Sequence, residues 1–178
     1  MLNKWPVAGL IAGIVLFFWG AITHMAFNIE SYIKPIPNEP AAIAALQSHL
    51  KDPGLYFYPN EMDPAKMEER VKTAPRGLIT YTPAGTPFSM GQSLGVQCAS
   101  DILCALIAAF LFSMAAPSLT SLPQRLIFTT LLGLFAVAAI QIPYWNWYGF
   151  PLASIGTAVI EQGIGGVLTG FVFAKLLK

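Results

Sequence analysis

Charge is what this chain has least of. Of its 178 residues, ten are Lys or Arg and nine are Asp or Glu, which is 11% charged against 55% hydrophobic. Mean hydropathy is +0.59. That scarcity excludes both an ordinary soluble domain and a disordered tail. A net charge of +1 leaves no concentrated basic face, so no nucleic-acid partner is expected. Cysteine is equally sparse. Cys98 and Cys104 on one helix stand ~9 Å apart along the axis and ~120° out of phase. A disulfide needs Cα atoms within ~7 Å, so the two read as packing residues. With only His24 and His49, acid–base chemistry is thin, and a metal site with its usual three or four ligands has no obvious source. The chain contains no Cys-x-x-Cys-His, Gly-rich phosphate loop, His-Glu-x-x-His or nucleophile elbow, and no inverted repeat of broken helices. No catalytic residue is assigned, and no enzyme is expected.

What the chain has in abundance is long apolar runs, at 6–27, 94–114, 126–144 and 152–177. Each approaches or exceeds the ~20 residues a helix needs to cross a ~30 Å hydrocarbon layer. Their interiors carry two acidic charges, Asp101 and Glu161. Unpaired backbone amides cost several kcal/mol in lipid, so such runs close their hydrogen bonds as helices. The expected fold is an all-α membrane protein with four transmembrane helices and a small α+β extracytoplasmic insert between the first and second. The segments are 1–27 (span one), 28–93 (insert), 94–114 (span two), 115–125 (cytoplasmic link), 126–144 (span three), 145–151 (outer aromatic link) and 152–178 (span four and tail). Lys4 ahead of the first run mimics a signal peptide. The run exceeds an h-region of about 7–15 residues and no clear small-residue cleavage site follows, so a retained span is expected.

Basic residues set the sidedness. Lys4, Arg125, Lys175 and Lys178 fall on one side of the spans, whereas the link 143–151 has neither Lys nor Arg. Both termini are therefore expected in the cytoplasm of a bacterial inner membrane, with the insert outside. The insert is patterned. Pro35, Pro37 and Pro40 give a stiff exit, and Asn38 is expected to cap a helix over 41–51 striped by Ile43, Leu46 and Leu50. A strand follows at 55–58, then a helix over 64–73 capped by Asp63, then a strand at 77–82. The helix stripe is expected to pack on the first strand, giving a cap too small for a large core.

Glycines and aromatics suggest packing roles. Gly9, Gly13 and Gly20 in span one, and Gly156, Gly163, Gly166 and Gly170 in span four, form small-residue seams. Such seams let helices approach where lipid supplies no hydrophobic drive, either within the chain or against another subunit. Tyr144, Trp145, Trp147, Tyr148 and Phe150 read as an interfacial belt at the outer link, with Trp5 at the inner face.

Within the spans the polar residues with possible chemistry are His24, Asp101, Gln141, Glu161 and Gln162. A charge at the bilayer centre costs at least ~2.5 kcal/mol, so both acids should face the bundle interior, be neutral or be partnered. The plain reading is that Asp101 and Glu161 bond to Gln141, Ser100, Thr157 or His24 and hold helices together. Alternatives are a proton or cation conduit through Glu161 and Asp101, and ligation of a haem or chlorophyll-type pigment by His24. No cofactor is expected on the first reading, and the chain is then an accessory or scaffolding subunit of a larger membrane complex, an energy-transducing one being a candidate. Its partners would be the bilayer and other membrane subunits.

Three motifs, Phe18-Trp19-Gly20-x-x-x-His24, Gly54-Leu55-Tyr56-Phe57-Tyr58-Pro59 and Asn146-Trp147-Tyr148-Gly149-Phe150-Pro151, carry a resemblance. In order and spacing the chain resembles a group of small, uncharacterised bacterial four-span inner-membrane proteins. The resemblance implies a bacterial origin and a four-span layout, and it carries over no catalytic residue.

Overall fold

The computed structural model describes residues 4–177. Eight elements follow in order: α1 (Trp5–Met25), α2 (Glu39–His49), β1 (Gly54–Tyr58), α3 (Pro64–Arg70), β2 (Gly77–Tyr81), α4 (Met90–Ala115), α5 (Leu122–Tyr148) and α6 (Leu152–Leu176). α1, α4, α5 and α6 are each long and apolar enough to cross a membrane. Described Lys4 and Leu177 share one end of these helices, here the terminal end, and the insert stands at the other, the cap end.

The apolar runs understate the helices. α4 begins four residues ahead of the expected 94, because Ser89 caps it, its hydroxyl accepting from the Gln92 amide at 3.3 Å. α5 extends beyond 126–144 at both ends. Ser121 and Gln124 form a reciprocal capping box at its start. At its finish the helix runs past Pro143 to Tyr148 and stops where Gly149 turns left-handed, φ +75°. Trp145, Trp147 and Tyr148 thus lie on α5, and the link expected at 145–151 shrinks to 149–151.

Small residues fix the packing. An added Cβ at Gly9 would fall 2.8 Å from the Leu106 Cα, and one at Gly13 would overlap the Ile102 backbone, so α1 and α4 touch backbone to backbone. Gly133 against the Gln162 carbonyl (2.7 Å) and Gly166 against the Thr130 Cα (2.6 Å) do the same for α5 and α6. α1 also packs on α6, whereas α4 meets α5 and α6 only sparsely. The four helices therefore stand as a row, α4–α1–α6–α5, folded toward closure at the terminal end. There Ala8, Ala12, Ala105, Ala109, Phe112 and Phe173 are buried, and the Phe112 ring packs on Phe128 and Phe173. Arg125 staples this end, with Nε donating to the Leu119 carbonyl (2.9 Å) and Nη1 to those of Ala174 and Leu177 (3.4 Å each). Above the plug, α4 and α5 leave a half-open cavity of about 160 Å³, whose lining includes Leu16, Cys104, Ala108, Leu132, Ala136 and Gln162. Both cysteines are free.

The insert is helix, strand, helix, strand as expected, with altered details. β1 and β2 pair antiparallel, Tyr56 opposite Ile79 and Tyr58 opposite Gly77. Gly77 leaves room there for the Tyr58 ring, which a Cβ would displace. Asp63 caps α3, accepting from the Ala65 and Lys66 amides. Asn38 does not cap α2. It adopts φ +50°, ψ +53°, a left-handed turn that asparagine tolerates, and its side chain bonds no amide. α2 spans Glu39–His49 rather than 41–51 and buries no residue, with Ile43 43% exposed. The expected packing of its stripe on β1 is not formed. α3 ends at Arg70 rather than 73. The cap meets the helices where the Phe57 ring stands edge-on to Tyr148, centroids 6.3 Å apart.

Candidate functional site

The most specific chemistry gathers at the cap end of α1 and α6, and the hook that ends α1 builds it. The Phe27 amide donates to the Ile22 carbonyl and the Ile29 amide to that of Thr23. Asn28 between them is left-handed, φ +45°. This reversal folds the chain back over the helix it has just left, so Glu30 reaches His24 and Tyr32 reaches Thr157 on α6. Gly20 presents no side chain toward α6. A Cβ there would sit 4.0 Å from Glu161 Oε1, so the carboxyl comes in beside α1.

The result is a chain of acid, imidazole and acid. His24 Nδ1 lies 3.2 Å from Glu30 Oε2, and His24 Nε2 lies 3.4 Å from Glu161 Oε1. Glu161 Oε1 also accepts from the Thr23 hydroxyl at 3.0 Å, and its backbone carbonyl accepts from Trp19 Nε1 at 3.0 Å. The side chains of His24 and Glu30 are 44% and 48% exposed and that of Glu161 only 23%, so the chain leads from the cap surface into the helices. An imidazolium carries a proton on both ring nitrogens and neutral imidazole on one, so the hydrogen bond to Glu30 and the 3.4 Å ion-pair contact to Glu161 both depend on the ring's protonation. The Tyr32 phenol, outside the spans, is pushed above its ordinary pKa. Burial is the main cause, the Glu30 and Glu161 charges add to it, and a hydrogen bond to Thr157 opposes it.

Only part of the expected polar group assembles. Asp101 accepts from Gln97 Nε2 at 3.0 Å on its own helix, and Glu161 acts on it only through space. Glu161 accepts a hydrogen bond from Thr23 and lies within ion-pair distance of His24, rather than bonding Gln141, Ser100 or Thr157. Gln141 is half-buried and makes no side-chain hydrogen bond among the described residues. Gln162 follows Glu161 but points away from α1, onto the cavity wall. Sequence reasoning missed Trp19, Thr23, Glu30 and Tyr32. The first two were legible as neighbours of His24 and Gly20 at helical spacing, but the last two depend on the Asn28 reversal.

The glycines divide as well. Gly9, Gly13, Gly166 and Gly170 are true close approaches, and Gly20 makes room for Glu161. Gly156 and Gly163 face open space, so the heptad stripe expected on span four is not one seam. Gly133 and Gly165, not singled out beforehand, line contacts instead, Gly165 under Leu16 and Trp19. Of the aromatics, Tyr144 packs on Tyr148 and Phe150 at 5.5 and 5.1 Å, while Trp147 is 71% exposed and Trp145 also exposed. Trp5 opens α1 and stands edge-on to Phe110, centroids 5.5 Å apart.

The fold and site thus define a helical protein with four helices fit to cross a membrane and a two-stranded cap. No family model, curated protein or solved structure matches the chain.

Proposed function

We propose that this chain is a non-catalytic membrane subunit whose acid–imidazole–acid chain exchanges protons at the cap face on behalf of a larger membrane assembly. The observation that supports this reading is His24 with a different carboxylate on each ring nitrogen, one exposed and one drawn inward. Toward the terminal end the path meets the buried Ala8, Ala12, Ala105, Ala109, Phe112 and Phe173. A proton reaching Glu161 therefore leaves by the way it came or sideways to a partner, which is why the chain serves as a subunit rather than a complete conduit. Ligation of haem or chlorin by His24 is the lesser reading, since a ring nitrogen would first have to release its carboxylate. The basic-residue count favours the cap on the outer face of a bacterial inner membrane, with both termini cytoplasmic.

Two measurements test this. Purified in mild detergent, the native protein is expected to bring membrane partners with it; recovery only as a lone monomer overturns the subunit role. Reconstituted with those partners, Glu161→Gln and His24→Gln should each cut proton flux by about tenfold or more. Unchanged flux in both overturns the exchange role.

A further inference from the structure

The cavity between α4 and α5 is separate from the His24 chain, and no charged side chain lines it. Its walls are mostly aliphatic, and the polar side chains on them are Cys104, Thr129, Gln162 and Thr169. Five hydroxyl residues are buried among the described ones, Thr23, Ser113, Thr129, Ser154 and Thr169. The first four each donate to a carbonyl three or four residues back along the chain. Thr169 does not. It is 4% exposed, lines the cavity and makes no side-chain hydrogen bond among the described residues. No sealed side-chain oxygen among those residues lacks a partner, so the Thr169 hydroxyl is open to the cavity itself. Buried hydroxyls are ordinarily paired, and this one faces a space with room for a partner. Water fits poorly, because it needs about two to four polar neighbours. The Thr129 hydroxyl is spent on the Arg125 and Leu126 carbonyls, and Gln162 lies two turns away along α6, ~10 Å. A phospholipid tail would fill the space but leave the hydroxyl bare. Its ester oxygens stay at the bilayer surface, and the rings of Phe112, Phe128 and Phe173 close the terminal side.

We propose that this cavity binds an uncharged, lipid-soluble ring compound bearing a hydroxyl or carbonyl oxygen, with that oxygen on the Thr169 hydroxyl. The volume of about 160 Å³ is close to that of an engineered apolar cavity that takes up benzene, so it holds one ring. The uncharged lining excludes an ionic head, and the open hydroxyl selects an oxygenated ring over a hydrocarbon one. The sparse contact between α4 and α5 leaves the entrance on the side of the helices that lipid would cover.

The probe is a phenol carrying a photoreactive trifluoromethyl diazirine, applied to the full chain in nanodiscs of zwitterionic lipid. Mass spectrometry should place adducts on 104–108 and 132–136. The competitors are p-cresol and p-xylene, which share a shape and differ by one hydroxyl. At matched bilayer concentrations p-cresol should suppress the adducts at about fivefold lower concentration, a factor typical of one net hydrogen bond. Thr169→Val should erase that preference while leaving the adducts in place. Ala136→Leu, which fills the cavity from α5, should remove the adducts. Adducts spread evenly over the lipid-facing helix surfaces overturn the proposal. Equal competition by the two rings overturns it as well, since it marks an apolar crevice that ignores oxygen, and so does a preference that survives Thr169→Val. Circular dichroism of each variant reports its fold independently.

Discussion

Two glycines three residues apart on α6 offer a clean test of how the helices are held. Gly166 lies against α5, where a Cβ would fall 2.6 Å from the Thr130 Cα and 2.9 Å from the Thr129 carbonyl oxygen. Gly163 has nothing within 4 Å. Alanine at either position improves helix propensity by the same amount, up to ~1 kcal/mol. The difference between the variants is therefore steric. A contact at 2.6 Å is about 1 Å inside the optimal carbon–carbon separation, and both neighbouring atoms are backbone, so no rotamer change relieves it. The α5–α6 seam must open by that amount and loses a quarter to a half of its local dispersion energy. Overpacking of this kind costs about 1–3 kcal/mol. Gly163→Ala should be neutral or slightly stabilising, and Gly166→Ala should lie about 1–3 kcal/mol below it. Reversible unfolding in mixed micelles, followed by circular dichroism against the mole fraction of denaturing detergent, measures the gap. Equal stabilities would refute the close approach and with it the α6–α5 pairing.

Further outcomes follow from other contacts. Arg125→Ala should cost about 1–3 kcal/mol, because it strips a charged donor from the Leu119 carbonyl in the link and from two carbonyls at the end of α6, and Arg125→Lys should recover only part, lacking the second nitrogen; the same unfolding assay reports both. In the cap, Asp63→Ala should weaken α3 by about 0.5–2 kcal/mol, whereas Asn38→Gly should cost nothing, because Asn38 supplies a left-handed turn and no cap bond; proteolysis rates of the insert compare them. Tyr32 should ionise above free tyrosine in ultraviolet titration, and Glu30→Gln should lower its midpoint by removing one of the charges that hold it up. The sign is that of a raised acid. The folded state favours the neutral phenol, so this contribution is present below the unfolded midpoint and is lost as pH rises through the folded one.

The four helices were legible because lipid imposes a length and an apolar composition that few other segments meet, and their ends were not. The run of apolar residues stops at 94 and 126, but the helices are started by Ser89 and by the Ser121/Gln124 box, polar signals that hydropathy passes over. Asp63 was readable as a cap because aspartate ahead of proline leaves the chain extended there, with φ −82° and ψ +117°. Asn38 carried the same signal ahead of a helix and instead took the left-handed turn. Heptad spacing suggested one glycine stripe on α6, but a straight helix drifts about 20° per heptad, so Gly170 meets α5 while Gly156 and Gly163 do not. His24 and Glu161 were visible as rare polar groups in apolar helices. Glu30 joined them only through a reversal at Asn28 that no periodicity describes.

The account turns on His24 lying between two carboxylates, and nitrogen-15 NMR of the labelled imidazole in bilayers reads both contacts at once. In the intact protein Nδ1 should be hydrogen-bonded and Nε2 should sense the nearby Glu161 carboxyl, with Glu30→Gln moving chiefly the Nδ1 resonance and Glu161→Gln chiefly the Nε2 resonance. Resonances that ignore both substitutions, or that answer only to Glu30, would contradict a chain reaching from the cap surface to α6.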